Sequence, residues 1–161
     1  MHLAIPRPPA DDEYGPPAEL TGLLAHLDTV YGFALTLTGD AEHAEMLTEE
    51  VFASVHDDLW TTLGGHALRE RLLARCVTAF ATSGARERTR SASVPVTETQ
   101  KLHAMLRELP WNERAAISLI DQLGLSYAEG AAVLGTPVNR FRTLLHHARG
   151  VLFDAYRAGA R

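Results

Sequence analysis

Cysteine occurs once in the chain, at Cys76. That excludes an internal disulfide and any cysteine-rich zinc cluster, and it agrees with a reducing compartment. No apolar run approaches the roughly 20 residues that a membrane-spanning helix needs. The first residues, with Pro6, Pro8, Pro9, Asp11, Asp12 and Glu13, lack the apolar centre of a signal peptide. A cytoplasmic chain without membrane insertion is therefore expected. No segment alternates apolar and polar residues over a strand's length, so the predicted fold class is all-α. Without strands there is no strand-to-helix glycine loop to cradle phosphate. The eight histidines contain no His-x-x-x-His pair, and no nucleophile stands with a base. The sequence thus predicts no catalytic residue, no cofactor and no metal set, and the chain reads as a non-enzyme.

Basic residues are scarce in the first part of the chain. Residues 1–60 hold one Lys or Arg against twelve acids, a net −11, whereas residues 61–161 hold fourteen against eight, a net +6. This asymmetry points to different partners for the two halves. At 161 residues and 46% hydrophobic content the chain can bury a real core as one domain or two small ones.

Residues 1–18, rich in Pro and acids, read as an irregular tail. From Leu20 the positions Leu23, Leu24, Leu27, Val30, Tyr31, Ala34 and Leu35 trace an amphipathic helix ending near Thr38-Gly39. Asp40 opens a second helix, with Ala44, Leu47, Val51, Phe52 and Val55 inward and Glu42, Glu45, Glu49 and Glu50 outward. A third helix runs from about Ala67 to Thr82. It buries Leu68, Leu72, Leu73, Cys76, Val77 and Phe80 and presents Arg71, Arg75, Thr78 and Thr82 as an outer stripe. Residues 19–82 form one helical domain on this reading, and the Ser, Thr, Arg and Gly of residues 83–97 a flexible linker whose Arg86 can follow a phosphate backbone. A second domain covers residues 98–161. Leu102, Met105, Leu106 and Leu109 share a helix face, Pro110 breaks that helix, and Trp111 to Leu123 forms the next.

Leu125 to Arg149 reads as a helix-turn-helix, which completes a four-helix C-terminal unit. Ser126 and Glu129 form a capping box, Gly135 supplies a left-handed stop, and Thr136-Pro137 opens the second helix. Val138, Phe141, Leu145, Ala148 and Leu152 make its apolar stripe. The opposite face carries Asn139, Arg140, Arg142, Thr143, His146 and His147, side chains suited to base edges and phosphates in a major groove.

Taken together, the two halves resemble a bacterial sigma factor of the extracytoplasmic-function group. Leu109-Pro110, Glu113-Arg114, Leu125-Ser126-Tyr127-x-Glu129, Leu134-Gly135, Pro137 and Leu145-His146-x-Ala148-Arg149 are similar to that family's fourth region. Tyr31-x-x-Ala34-x-x-Leu37-Thr38-Gly39-Asp40 and Ala44-Glu45-x-Leu47-x-x-Glu50-Val51-Phe52 are similar to its second region. The resemblance implies a protein that docks on the β′ clamp helices of core RNA polymerase and directs initiation at promoter DNA. The residues implied for docking are Glu45, Leu47, Glu49, Glu50 and Phe52. Arg71, Arg75, Thr78 and Arg86 would approach a −10 element, and Asn139, Arg140, Arg142, Thr143, His146 and His147 a −35 element. An anti-sigma factor is a further implied partner. The departures from the family pattern are Met46 for Asp, Glu49 for Gln, Arg140 for Thr, Phe141 for Val, Leu144 and His147 for Arg, and Gly130 for an apolar residue. The acid at Glu49, with the absence of the family's usual Trp, Asn and Asp from Arg71 to Ser83, leaves a second reading open, a sigma-like interaction protein that binds an anti-sigma factor or other regulator without initiating transcription. A free-standing dimeric helix-turn-helix repressor is a third.

Overall fold

The computed structural model describes residues 22–55, 65–83 and 104–159. The described residues are helical throughout, with no strand among them, as the absent alternation predicts. A short helical turn at 22–24 leads into α1 (Leu27–Thr38), followed by α2 (Ala41–Ala53) and α3 (Gly65–Thr82). The C-terminal unit comprises α4 (104–108), α5 (Trp111–Ile117), α6 (Tyr127–Val133) and α7 (Val138–Gly159). Among the described residues, no helix is long and apolar enough to cross a membrane.

The turn joining α1 to α2 is built from local chemistry. Gly39, at φ 69°, ends α1 and its N–H returns to the Leu35 carbonyl at 2.8 Å. The Asp40 carboxylate then accepts the His43 N–H at 3.0 Å and caps α2. The first stripe differs from expectation, because the helix is interrupted at Ala25-His26. This break turns Leu24 and Leu27 outward, at 48% and 40% exposure, and leaves Phe33 and Leu37 to fill the core beside Leu23, Val30 and Ala34. On α3 all six residues predicted inward are buried.

After Pro110 the next helix starts as expected, but Ser118–Gln122 winds as a π-helix, with the Leu123 N–H reaching back five residues to the Ser118 carbonyl. In the helix-turn-helix the capping box is present in both directions. Gly135 (φ 60°) and Thr136 close α6 by returning their N–H groups to the Ala132 and Ala131 carbonyls. Pro137 stands at the cap of α7, where its carbonyl takes the Phe141 N–H at 3.0 Å. Phe141, Leu145 and Ala148 are buried and Leu152 is half-buried, whereas Val138 heads the helix outside the packed stripe.

The two halves pack against each other, α1 on α5 and α3 on α6, and their buried residues form one continuous apolar cluster. Residues 84–103, which contain most of the predicted linker, lie outside the described residues, as do the tail at 1–18 and Arg86.

Candidate nucleic-acid interface

The recognition-helix face is built by burying its opposite side. With Phe141, Leu145 and Ala148 at 0–2% exposure against α5 and α6, helical geometry turns Asn139, Arg140, Arg142, Thr143, His146 and His147 outward, and all six are exposed. They do not all have the same freedom. Arg142 lies over the Tyr127 ring, its guanidinium carbon 5.4 Å from the centroid, so an aromatic residue of the supporting helix sets its direction. Arg140 and His146 stand outward beside it. Asn139 uses its side-chain oxygen to accept the Arg140 N–H at 2.8 Å, and the Thr143 hydroxyl donates to the Asn139 carbonyl at 3.1 Å. His147 Nδ1 lies 3.0 Å from Glu113 Oε2, which ties the recognition helix to the buried start of α5.

Phe141 and Gly130 explain each other. A Cβ on Gly130 would come within 2.6 Å of Phe141 Cζ and 3.1 and 3.2 Å of its Cε atoms. The helix-weakening glycine is therefore the space into which the phenylalanine ring fits. Two departures from the family pattern amount to one packing exchange, small for large on α6 and large for small on α7.

Of the four residues predicted for a −10 strand, Arg71 and Thr78 are exposed on α3. Arg75 is half-buried and donates to the Ser54 carbonyl at 2.6 Å and to its Oγ at 2.7 Å. In this arrangement it closes the end of α2, where Ser54 is the C-cap and its carbonyl has no partner within the helix. On α2, Glu45, Glu49 and Glu50 are exposed, Phe52 is half-buried against the core, and Leu47, 5% exposed, supports the acidic face from inside. Cys76 is wholly buried, and burial, with Glu50 nearby, pushes its thiol pKa up to about 12, so it behaves as core.

The sequence did not show how the seam between the halves is held. Arg114, 3% exposed, donates through Nη2 to the Leu37 carbonyl at 2.7 Å and through Nη1 to the Arg107 carbonyl at 3.1 Å, with those of Leu106 and Leu109 at 3.5 Å. One guanidinium thus serves the negative C-terminal ends of two helices, one from each half. Burial, with the like charge of Arg107, lowers its pKa from the usual guanidinium value. Phe80 of α3 meets Trp111 of α5 at 5.9 Å between ring centroids, tilted by 57°. At the far end His66 Nε2 lies 2.6 Å from Glu129 Oε1 and 3.0 Å from Glu70 Oε1. Bonds from Ser126, then from His66, hold the Glu129 pKa down at about 2. Leu37, Arg114 and Glu129 stand in sequence motifs, but a motif does not say across which boundary a guanidinium or a carboxylate reaches.

The family described as sigma-70, region 4 matches residues 99–152. The ECF RNA polymerase sigma factor SigE of Mycolicibacterium smegmatis is 31% identical over 150 residues, which covers 80% of this chain and 58% of that protein. The chain thus spans a little over half the length of this relative. The structure of the sigma factor RpoE in complex with the anti-sigma factor NepR, from Bartonella quintana, shares the fold with a TM-score of 0.71 at 22% identity, covering 86% of this chain and 96% of that one. The chain therefore carries a sigma-70 region 4 over its helix-turn-helix, is similar over four-fifths of its length to an extracytoplasmic-function sigma factor, and shares the all-helical fold of a sigma factor.

Proposed function

We propose that this protein binds core RNA polymerase in the cytoplasm and directs transcription initiation at a specific set of promoters, as a regulator rather than an enzyme. One observation carries the reading: α7 buries Phe141, Leu145 and Ala148 while leaving Arg140, Arg142 and His146 exposed on a face that the N-terminal half does not cover. This is the geometry of a major-groove helix, with Arg140 and Arg142 offering the bidentate donors that read guanine or clamp phosphate. The acidic face of α2, with Glu45, Glu49 and Glu50, is the docking surface for the polymerase β′ clamp helices. Arg71 and Thr78 of α3 then face the −10 strand.

The packed arrangement is a resting form. Elements named for positions −35 and −10 are separated by about 25 base pairs, or roughly 85 Å at 3.4 Å per step. A compact chain of 161 residues has a radius of gyration of only about 15 Å. Simultaneous engagement therefore requires the seam at Arg114, Trp111 and Glu129 to open.

Run-off transcription from the promoter region of the protein's own gene, with purified core polymerase and the full chain, tests the reading. A transcript that depends on this protein and is lost in Arg142→Ala supports it. No transcript together with no measurable affinity for core polymerase defeats it. The second reading, a sigma-like adaptor that captures an anti-sigma factor without initiating, is favoured by Arg75, since a residue expected at the −10 strand is committed to Ser54. Capture of an anti-sigma factor without core affinity would select that alternative.

A further inference from the structure

We propose that His66, Glu70 and Glu129 form a binding site for a divalent transition-metal ion of the zinc class, which bridges the two halves of the chain. Among the described residues, this is the cluster where three side chains of metal-ligand type place one ligand atom each within 4.8 Å of one another. His66 and Glu70 stand one turn apart on α3, and Glu129 comes from α6, 63 residues further along the chain than His66. The donor set, one imidazole nitrogen and two carboxylate oxygens, suits zinc and its neighbours better than calcium or magnesium, which prefer oxygen alone.

Hydrogen-bond arithmetic argues for a cation. Imidazole Nε2 carries at most one hydrogen, yet two carboxylate oxygens lie within 3.0 Å of it. A single N–H cannot serve both in line, and the two negative oxygens repel each other. A divalent ion accepts all three lone pairs at once and neutralises both carboxylates. Tetrahedral bonds of 2.0–2.1 Å place ligand atoms about 3.3 Å apart, so the side chains need to spread by roughly half an ångström. His66, with a side chain 63% exposed, has room to do so. Glu129 is already aimed: its Oε2 accepts the Ser126 N–H at 2.6 Å in the capping box, which leaves Oε1 directed at the site. Three protein ligands in a half-exposed position leave room for water as the fourth and an open path for the ion. Bound there, the ion fastens α6 to α3 and holds the helix-turn-helix against the N-terminal half.

The test uses the full chain with metal salts alone, so its outcome is independent of polymerase and promoter binding. Co2+ titration followed by visible absorption, then displacement by Zn2+, is expected to show one equivalent bound in the micromolar range. His66→Gln and Glu70→Gln each weaken binding tenfold or more. Glu129→Gln does the same while keeping the helix cap, since glutamine also closes a capping box. His43→Gln, which alters another histidine–carboxylate pair, leaves affinity unchanged. Zn2+ also slows amide exchange in α6 and the first turns of α3 in the parent chain only. Absence of a stoichiometric site, or binding that survives all three ligand substitutions, overturns the proposal and leaves His66 as a proton-sharing partner of two carboxylates.

Discussion

Replacing Arg114 by methionine removes the guanidinium at the seam while keeping most of the side-chain volume. Two of its contacts are well within hydrogen-bond range, to Leu37 at 2.7 Å and to Arg107 at 3.1 Å, and two at 3.5 Å are marginal. A hydrogen bond from a charged donor contributes about 1.5–3 kcal/mol net, so the two short ones together amount to roughly 3–6 kcal/mol. Against this stands the desolvation of a buried cation whose Nε–H finds no partner among the described residues. A net loss of about 2–4 kcal/mol follows, since methionine is not charged a desolvation cost but leaves two helix-end carbonyls orphaned. About half resides in the bond to Leu37, the one of Arg114's bonds that crosses between the halves. Because each 1.4 kcal/mol is a factor of ten, the open fraction should rise by about tenfold. Urea unfolding followed by circular dichroism measures the first quantity, and small-angle scattering or a fluorescence distance between labelled halves measures the second. A variant within about 0.5 kcal/mol of the parent, with an unchanged interdomain distance, would refute the assignment of Arg114 as the tie between the halves.

Gly130→Ala should destabilise the chain by about 1–3 kcal/mol in thermal unfolding, because overpacking against the immobile Phe141 ring exceeds the helix-propensity gain of about 1 kcal/mol. Combining it with Phe141→Val restores part of the loss, and a stabilised single variant would contradict the packing exchange. The Glu129 pKa is depressed in the folded protein, from 4.5 to about 2, so its contribution is present above pH 4.5 and is lost as pH falls through 2. Acid titration should show that loss in the parent and not in Glu129→Gln; identical curves would count against it. Arg140→Ala should lower the salt dependence of promoter binding by about one unit if it holds phosphate, or relax one base preference at a cost of about 1–3 kcal/mol if it reads a base. Binding isotherms over a salt series that show neither effect would remove Arg140 from the interface.

Much of the fold was legible because it rests on local physics. Asp40 and Ser126 cap helices through a side chain three residues from its target, Gly39 and Gly135 supply the positive φ that ends a helix, and the stripe of Phe141, Leu145 and Ala148 recurs at helical period. The exposed acids of α2 and the polar face of α7 follow from the same periodicity. The first helix was read less well, since a break at Ala25-His26 shifts the phase of the stripe and sequence period alone carries no record of it. The π-helical winding at Ser118–Gln122 is equally silent, being a choice between hydrogen-bond partners four and five residues away.

The sequence by itself determined the all-helical class, the caps at Asp40 and Ser126, and the helix-turn-helix. Only the tertiary structure decided what each charged side chain does. Arg75 turned out to close a helix end, Arg114 to join two halves through the Leu37 carbonyl, and Gly130 to make room for Phe141. His66 met Glu129 across 63 residues. Caps and stripes are set by neighbours within one or two turns, whereas the partner of a buried guanidinium or a converging carboxylate is set by which distant helix end the packing brings within 3 Å, and no local pattern encodes that distance.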